Sequence, residues 1–253
     1  MEPSLKSRKN PRKPLRKKVS LARALSKLGI VSRRQARTLI EAGRVSVNGK
    51  ILKNPEVRVD PDREVIQVDQ RRAQAPAPLY LMMHKPKGIV TTRSDERGRK
   101  TVYDLLDLKE WVFPVGRLDR ETSGLLLLTN DTQWGNRITA PAYKVAKVYH
   151  VKLNAPITES DLARLSNGIA LEDGTRTLPA KARRLPAPPD GRWIVLTLWE
   201  GKNRQVRRML EALGYRVEDL IRIQIGGLKL GDLPAGATRP LTPAEVERLD
   251  RRS

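Results

Sequence analysis

An α+β fold in two parts is predicted by three observations on this sequence. Between residues 19 and 69, two short helical patterns precede a set of alternating apolar pairs; residues 70–78 are a Pro/Ala/Arg stretch; beyond it, strands and helices interleave without a regular βαβ repeat. The first part reads as two helices plus a small sheet. The second, 79–250, reads as a larger domain with a mixed, largely antiparallel sheet and flanking helices.

Each element has a local reason. Residues 1–18 hold eight basic side chains, one acid and three prolines, too little apolar material to order themselves, and are expected to form a disordered basic arm. Leu21, Leu25 and Leu28 recur at helical spacing up to Gly29. Ser32 then opens a second helix, with Gln35 three residues on as a capping box, Ala36, Leu39 and Ile40 as its buried face, and Gly43 as its stop. Val45 and Val47 alternate as a strand, Asn48-Gly49 signals a hairpin, and Ile51 restarts a strand pattern that runs through Val57, Val59, Val65, Ile66 and Val68. Residues 70–78 have the composition of a semi-stiff tether. Beyond them, Leu79–Met83, Val148–Leu153 and Trp193–Trp199 read as strands and Lys85-Pro86-Lys87-Gly88 as a turn. Asp161–Leu165 and Asn203–Leu213 read as helices, and Thr242-Pro243-Ala244-Glu245 caps a last one.

Composition bounds the chemistry. Fifty Lys plus Arg against twenty-eight Asp plus Glu give a formal charge of +22, far more than solubility requires, and a field of one sign that favours polyanions. RNA or DNA is therefore the expected partner. With no cysteine and only His84 and His150 as imidazoles, thiol nucleophiles, disulfides and histidine-rich metal sites are excluded. Neither a metal nor another cofactor is expected. The start of the chain lacks the apolar core of a secretory signal and no apolar run could cross a bilayer, so a cytoplasmic protein without membrane partners is expected. A monomer is the simplest assumption.

The most informative run is Gly116-Arg117-Leu118-Asp119-Arg120-Glu121-Thr122-Ser123-Gly124, followed by Leu125 to Leu128 and Thr129-Asn130-Asp131, which sets one carboxylate on a loop against a rigid apolar element. It resembles the GRLD motif of ribosomal RNA pseudouridine synthases, specifically the RsuA-type family that also carries an N-terminal S4-like RNA-binding domain. Two further segments agree. Lys147-Val148-Tyr149 is similar to the family's K-x-Y strand, and Glu200-Gly201-Lys202-Asn203-Arg204-Gln205-Val206-Arg207-Arg208-Met209 to its E-G-R/K-N-R-Q-V-R-R-M segment. One departure is visible: Thr132 follows Asn130-Asp131 where the family commonly has glycine.

The resemblance implies site-specific isomerisation of uridine to pseudouridine in ribosomal RNA, of the small or large subunit, free or within an assembling particle. That reaction breaks an N-glycosidic bond, turns the base and rejoins it through carbon, with nothing oxidised and no cofactor. It needs a carboxylate, a group that moves protons, and walls around the detached uracil. The implied catalytic residue is Asp119, acting on either sugar or base. Tyr149 is expected to stack on the flipped uracil, Arg117 to bind substrate, and Arg207 to pair with Asp119 and keep it charged when substrate desolvates it. RNA contacts are expected from Lys27, Arg33, Arg34, Arg37, Arg44 and Lys50 in the S4-like segment 19–69, and from Lys85, Lys87, Arg93, Arg97, Arg99, Lys100, Arg204 and Arg208 beyond it. Asn203 is expected to cap its helix. Two other classes compete. A non-catalytic RNA-binding factor would tolerate Asp119→Asn, and a glycoside hydrolase would require a second carboxylate across the scissile bond.

Overall fold

The computed structural model describes residues 18–108, 110–188 and 190–250, so all of the expected basic arm except Lys18 lies outside the described residues. The chain divides into a first unit, Met1–Pro76, and a second, Ala77–Ser253.

The first unit runs β1 (Val19–Ser20), α1 (Leu21–Lys27), α2 (Arg33–Glu41), β2 (Val45–Val47), β3 (Lys50–Ile51), β4 (Arg58–Val59), β5 (Ile66–Val68) and β6 (Arg71–Arg72). Helix α2 begins where the sequence places it: the Ser32 hydroxyl accepts from Gln35 N at 3.2 Å, and the Gln35 side chain accepts from Ser32 N at 3.1 Å. The helical faces supply Leu21, Leu25, Ala36 and Ile40 to one core with Val45, Val59 and Ile66. Strand β2 is central, paired antiparallel to β3 through a turn with positive φ at Asn48 and Gly49, and to β5 on its other side. The expected tether is shorter than residues 70–78. Asp69 and Gln70 both take positive φ and turn the chain back, so Arg71 and Arg72 pair with β5 as β6.

The second unit runs β7 (Tyr80–Lys85), β8 (Phe113–Val115), β9 (Ser123–Thr129), α3 (Thr132–Thr139), β10 (Lys147–Leu153), α4 (Glu159–Ser166), β11 (Lys181–Arg184), β12 (Trp193–Leu198), α5 (Gln205–Glu211), β13 (Val217–Ile225), β14 (Leu228–Lys229), β15 (Thr238–Pro240) and α6 (Pro243–Asp250). One sheet carries it, in the order β11-β12-β10-β13-β9-β7-β15, with β8 on β9 and β14 on β13. Every strand pairing in it is antiparallel except β9 with β13, which bears out the mixed, largely antiparallel sheet.

Strand β9 explains the rigidity behind the candidate loop. Leu125 and Leu127 pack with Trp134 and Ile138 on one face, Leu126 and Leu128 with Leu81, Met83 and Val102 on the other, and none of the four leucines is exposed. At roughly 1.5–3 kcal/mol for each fully buried leucine, the strand has little freedom to shift. Among the described residues no helix is long and apolar enough to cross a membrane.

Candidate active site

Asp119 sits in the loop 116–122 between β8 and β9, half-buried, with its loop pinned from below. The Thr91 hydroxyl donates to Leu118 O at 2.8 Å, Gly88 N donates to Arg120 O at 2.9 Å, and Arg207 Nη2 donates to Glu121 O at 2.9 Å. Lys85 has no exposed surface, and its ammonium donates to Pro86 O and Thr122 O, each at 2.8 Å, and reaches Arg120 O at 3.5 Å. Burial pushes the Lys85 ammonium down to about 8, opposed by the charges of Glu121 and Asp119. Buried donors of this kind hold backbone carbonyls more firmly than water could. The loop is thus presented, not free.

Two cavities meet at Asp119. One, of about 380 Å³, is lined by Asp119, Lys147, Tyr149, Arg204, Arg207 and Arg222, among others. The other, of about 440 Å³, lies against Thr92, Ser94, Arg97, Arg117, Asp119 and Arg120. Its outer wall is the loop 95–99, closed by a two-point pair from Arg99 to Asp95, whose carboxyl is held well below the usual range chiefly by that side-chain hydrogen bond. Among the described residues no group of three possible metal ligands forms.

The expected site residues fall into three groups. Asp119, Arg117, Tyr149, Arg204 and Arg207 come together on the first cavity. Others keep exposed positions: Lys27, Arg33, Arg34 and Lys50 in the first unit have no acidic partner among the described residues. Arg37 pairs with Glu56 at 2.6 Å, Arg44 with Asp69, Lys87 with Asp219 at 2.8 Å, and Arg208 with Asp173 at 2.6 Å, so part of each charge is already answered. The third group needs correction. Lys85 cannot touch RNA from the surface, because the strand that begins the segment carries it inward beneath the loop. Arg207 makes no ion pair with Asp119 within 4 Å among the described residues; its guanidinium is spent on Glu121 O and, at 3.1 Å, Val217 O. Burial, then Arg204, lowers its pKa, while Asp119 and Glu121 raise it, and its direct contact with the Asp119 loop is the hydrogen bond to Glu121 O. Asn203 does not cap α5. Arg204 takes that place with φ 47° and no side-chain cap bond, and Asn203 faces both cavities instead.

Sequence reasoning missed Arg222. It lies on β13 opposite Tyr149, its Nε donates to Leu125 O at 2.8 Å, and it is 5% exposed. The signal was a guanidinium inside the apolar stretch Leu220-Ile221-Arg222-Ile223, which a strand can bury only beside a polar cavity. Lys147 was read as part of a motif but given no role of its own.

Residues 79–212 match the RNA pseudouridylate synthase family model, and residues 19–65 match the S4 domain model. The chain is 40% identical to the ribosomal large subunit pseudouridine synthase B of Bacillus subtilis (strain 168), over 90% of this chain and 94% of that protein. It is 39% identical to an uncharacterized RNA pseudouridine synthase of Aquifex aeolicus (strain VF5), over 91% of this chain and 93% of that one. Among solved structures, a crystal structure of pseudouridylate synthase aligns with a TM-score of 0.68 at 34% identity, covering 91% of this chain and 99% of that chain.

Proposed function

This chain belongs to the RNA pseudouridylate synthase family, and from that premise we propose that it converts one uridine of large-subunit ribosomal RNA to pseudouridine in the cytoplasm, as a monomer, with Asp119 as the catalytic residue and no cofactor. The observation that carries the reading is a carboxylate on a pinned loop, lining a cavity that Tyr149 also lines. Large-subunit RNA is preferred because the relative that matches at 40% identity over 94% of its length bears that name.

The target nucleotide is flipped out of its stack, which costs a few kcal/mol, offset by attraction between phosphates and a chain of charge +22. In the first cavity Tyr149 stacks on the base. The C1′–N1 bond breaks with both electrons leaving on the uracil while Asp119 stabilises or bonds the sugar centre. The base turns, C5 bonds C1′, C5 loses its proton and N1 gains one. No atom is gained or lost. Such an isomerisation proceeds in principle without a nucleotide or metal, because nothing is oxidised and no group is donated.

The test uses purified protein and unmodified small- and large-subunit RNA carrying tritium at uridine C5. Tritium release from large-subunit RNA at one mapped position is expected, with Asp119→Asn lowering the rate by about 10³ or more while RNA affinity holds. Release from neither RNA, under conditions that support binding, contradicts the reading.

A further inference from the structure

The first cavity holds a cation that nothing in the fold employs. Lys147 opens β10 with its backbone between β12 and β13, opposite Leu198 and Ile225. Its side chain is half-buried and lines the cavity, and among the described residues no carboxylate or carbonyl receives its ammonium. Two residues on, the same face of β10 presents Tyr149. Across from Tyr149 stands Arg222, with Nη2 buried and unpartnered among the described residues. Burial, and secondarily Arg222, pushes the Lys147 ammonium down to about 8. Among the described residues neither Lys147 nor Arg222 has a carboxylate within ion-pair distance, although Asp119 lines the same cavity, and two neighbouring cations so placed favour an anion beside them.

Resting on the reading above, we propose that Lys147 holds the uracil while it is detached: its ammonium donates a hydrogen bond to a carbonyl oxygen of the base and, with Arg222 behind it, balances the negative charge that the base carries between breaking of C1′–N1 and formation of C1′–C5. The charge spreads over N1 and the two ring carbonyl oxygens, so a donor at one oxygen stabilises the leaving base without giving up its proton. Asp119 carries the sugar side of the same separation. A phosphate anchor is the competing role, and it acts on binding rather than on the chemical step, because a phosphate is equally charged before and after bond cleavage.

The experiment measures RNA affinity, melting temperature and single-turnover tritium release for the full-length protein, Lys147→Gln and Lys147→Arg. The Gln variant is expected to bind RNA within about twofold of the parent, to melt no lower, and to release tritium about 10²-fold more slowly; the Arg variant is expected to recover at least about a tenth of the parent rate. The proposal is overturned if the Gln variant reacts within about threefold of the parent, if its loss appears in affinity and not in rate, or if Gln and Arg fall together with a lower melting temperature. A parent inactive on both RNAs removes the underlying function as well. An active parent with an unimpaired Gln variant removes the role of Lys147 alone.

Discussion

Lys85 concentrates three backbone acceptors on one ammonium with no exposed surface, directly beneath the loop that carries Asp119. Replacing it by methionine keeps the apolar stem but leaves the carbonyls of Pro86 and Thr122 without their donor, and an unsatisfied buried acceptor costs about 1–3 kcal/mol. Tritium release by Lys85→Met is expected to fall at least tenfold, roughly what loop displacement alone produces. The pH dependence of stability follows from the lowered pKa. Below about 8 the folded and unfolded chains both hold the proton and burial of the charge opposes folding in full; between about 8 and 10.5 only the unfolded chain holds it. Stability from this group therefore rises with pH across that window. Urea denaturation should show the parent gaining on the order of 2 kcal/mol relative to Lys85→Met between those limits, and a parent that loses ground there contradicts the burial of a charged lysine.

At the scale of elements, the site depends on the one parallel pairing in the sheet. Gly124 on β9 lies against Arg222 on β13 so closely that a Cβ built there would stand 2.3 Å from Arg222 O and 2.6 Å from Arg222 N, and its φ is 109°. Backbone cannot yield as a flexible side chain does. Gly124→Ala is expected to destabilise the protein by about 3 kcal/mol or more, a fall in Tm of roughly 6–12 °C, and to separate Arg222 from the Asp119 loop with loss of activity. Differential scanning calorimetry with the tritium assay checks both. Much of this layer was legible: the capping box of α2, the turn at Asn48-Gly49 and the alternating run of β10 all follow from local chemistry. What escaped was decided by tertiary contact. β13 reads as VEDLIRIQI, whose early acids and buried Arg222 break the period of two. Helix α3 carries a mid-helix Gly135, which reads as a breaker until Phe113 is seen pressed against it, 3.0 Å from where a Cβ would be. Asp131 caps that helix through Gln133 N and Trp134 N, so Thr132 falls on its first turn, where glycine is not required.

For the whole molecule, charge sets affinity and the site sets rate, and the two are separable. The expectation of a nucleic-acid partner rests on +22 spread along the chain, and it was legible from composition alone, whereas RNA in particular came from the motifs; which cations remain available was not legible, because pairing with Glu56, Asp69, Asp173 or Asp219 depends on residues distant in sequence. Arg33 and Arg34 stand apart from the paired set. They occupy the first turn of α2, exposed and without acidic partners among the described residues, where unsatisfied backbone N–H groups add to their attraction for phosphate. If each neutralises one phosphate, the slope of log K against log salt should fall by roughly 1.4–1.8 in Arg33→Ala/Arg34→Ala, taking about 0.7 per contact on a single strand and 0.9 on a duplex. At saturating RNA the rate of tritium release should match the parent, since neither residue lines the cavities at Asp119. Filter binding across a salt series and single-turnover kinetics on the same preparations measure the two quantities independently. An unchanged slope would move the phosphate contacts elsewhere. A fall in the saturated rate would mean that the first unit does more than hold the RNA, since loss of phosphate attraction alone leaves the chemistry of the bound complex untouched.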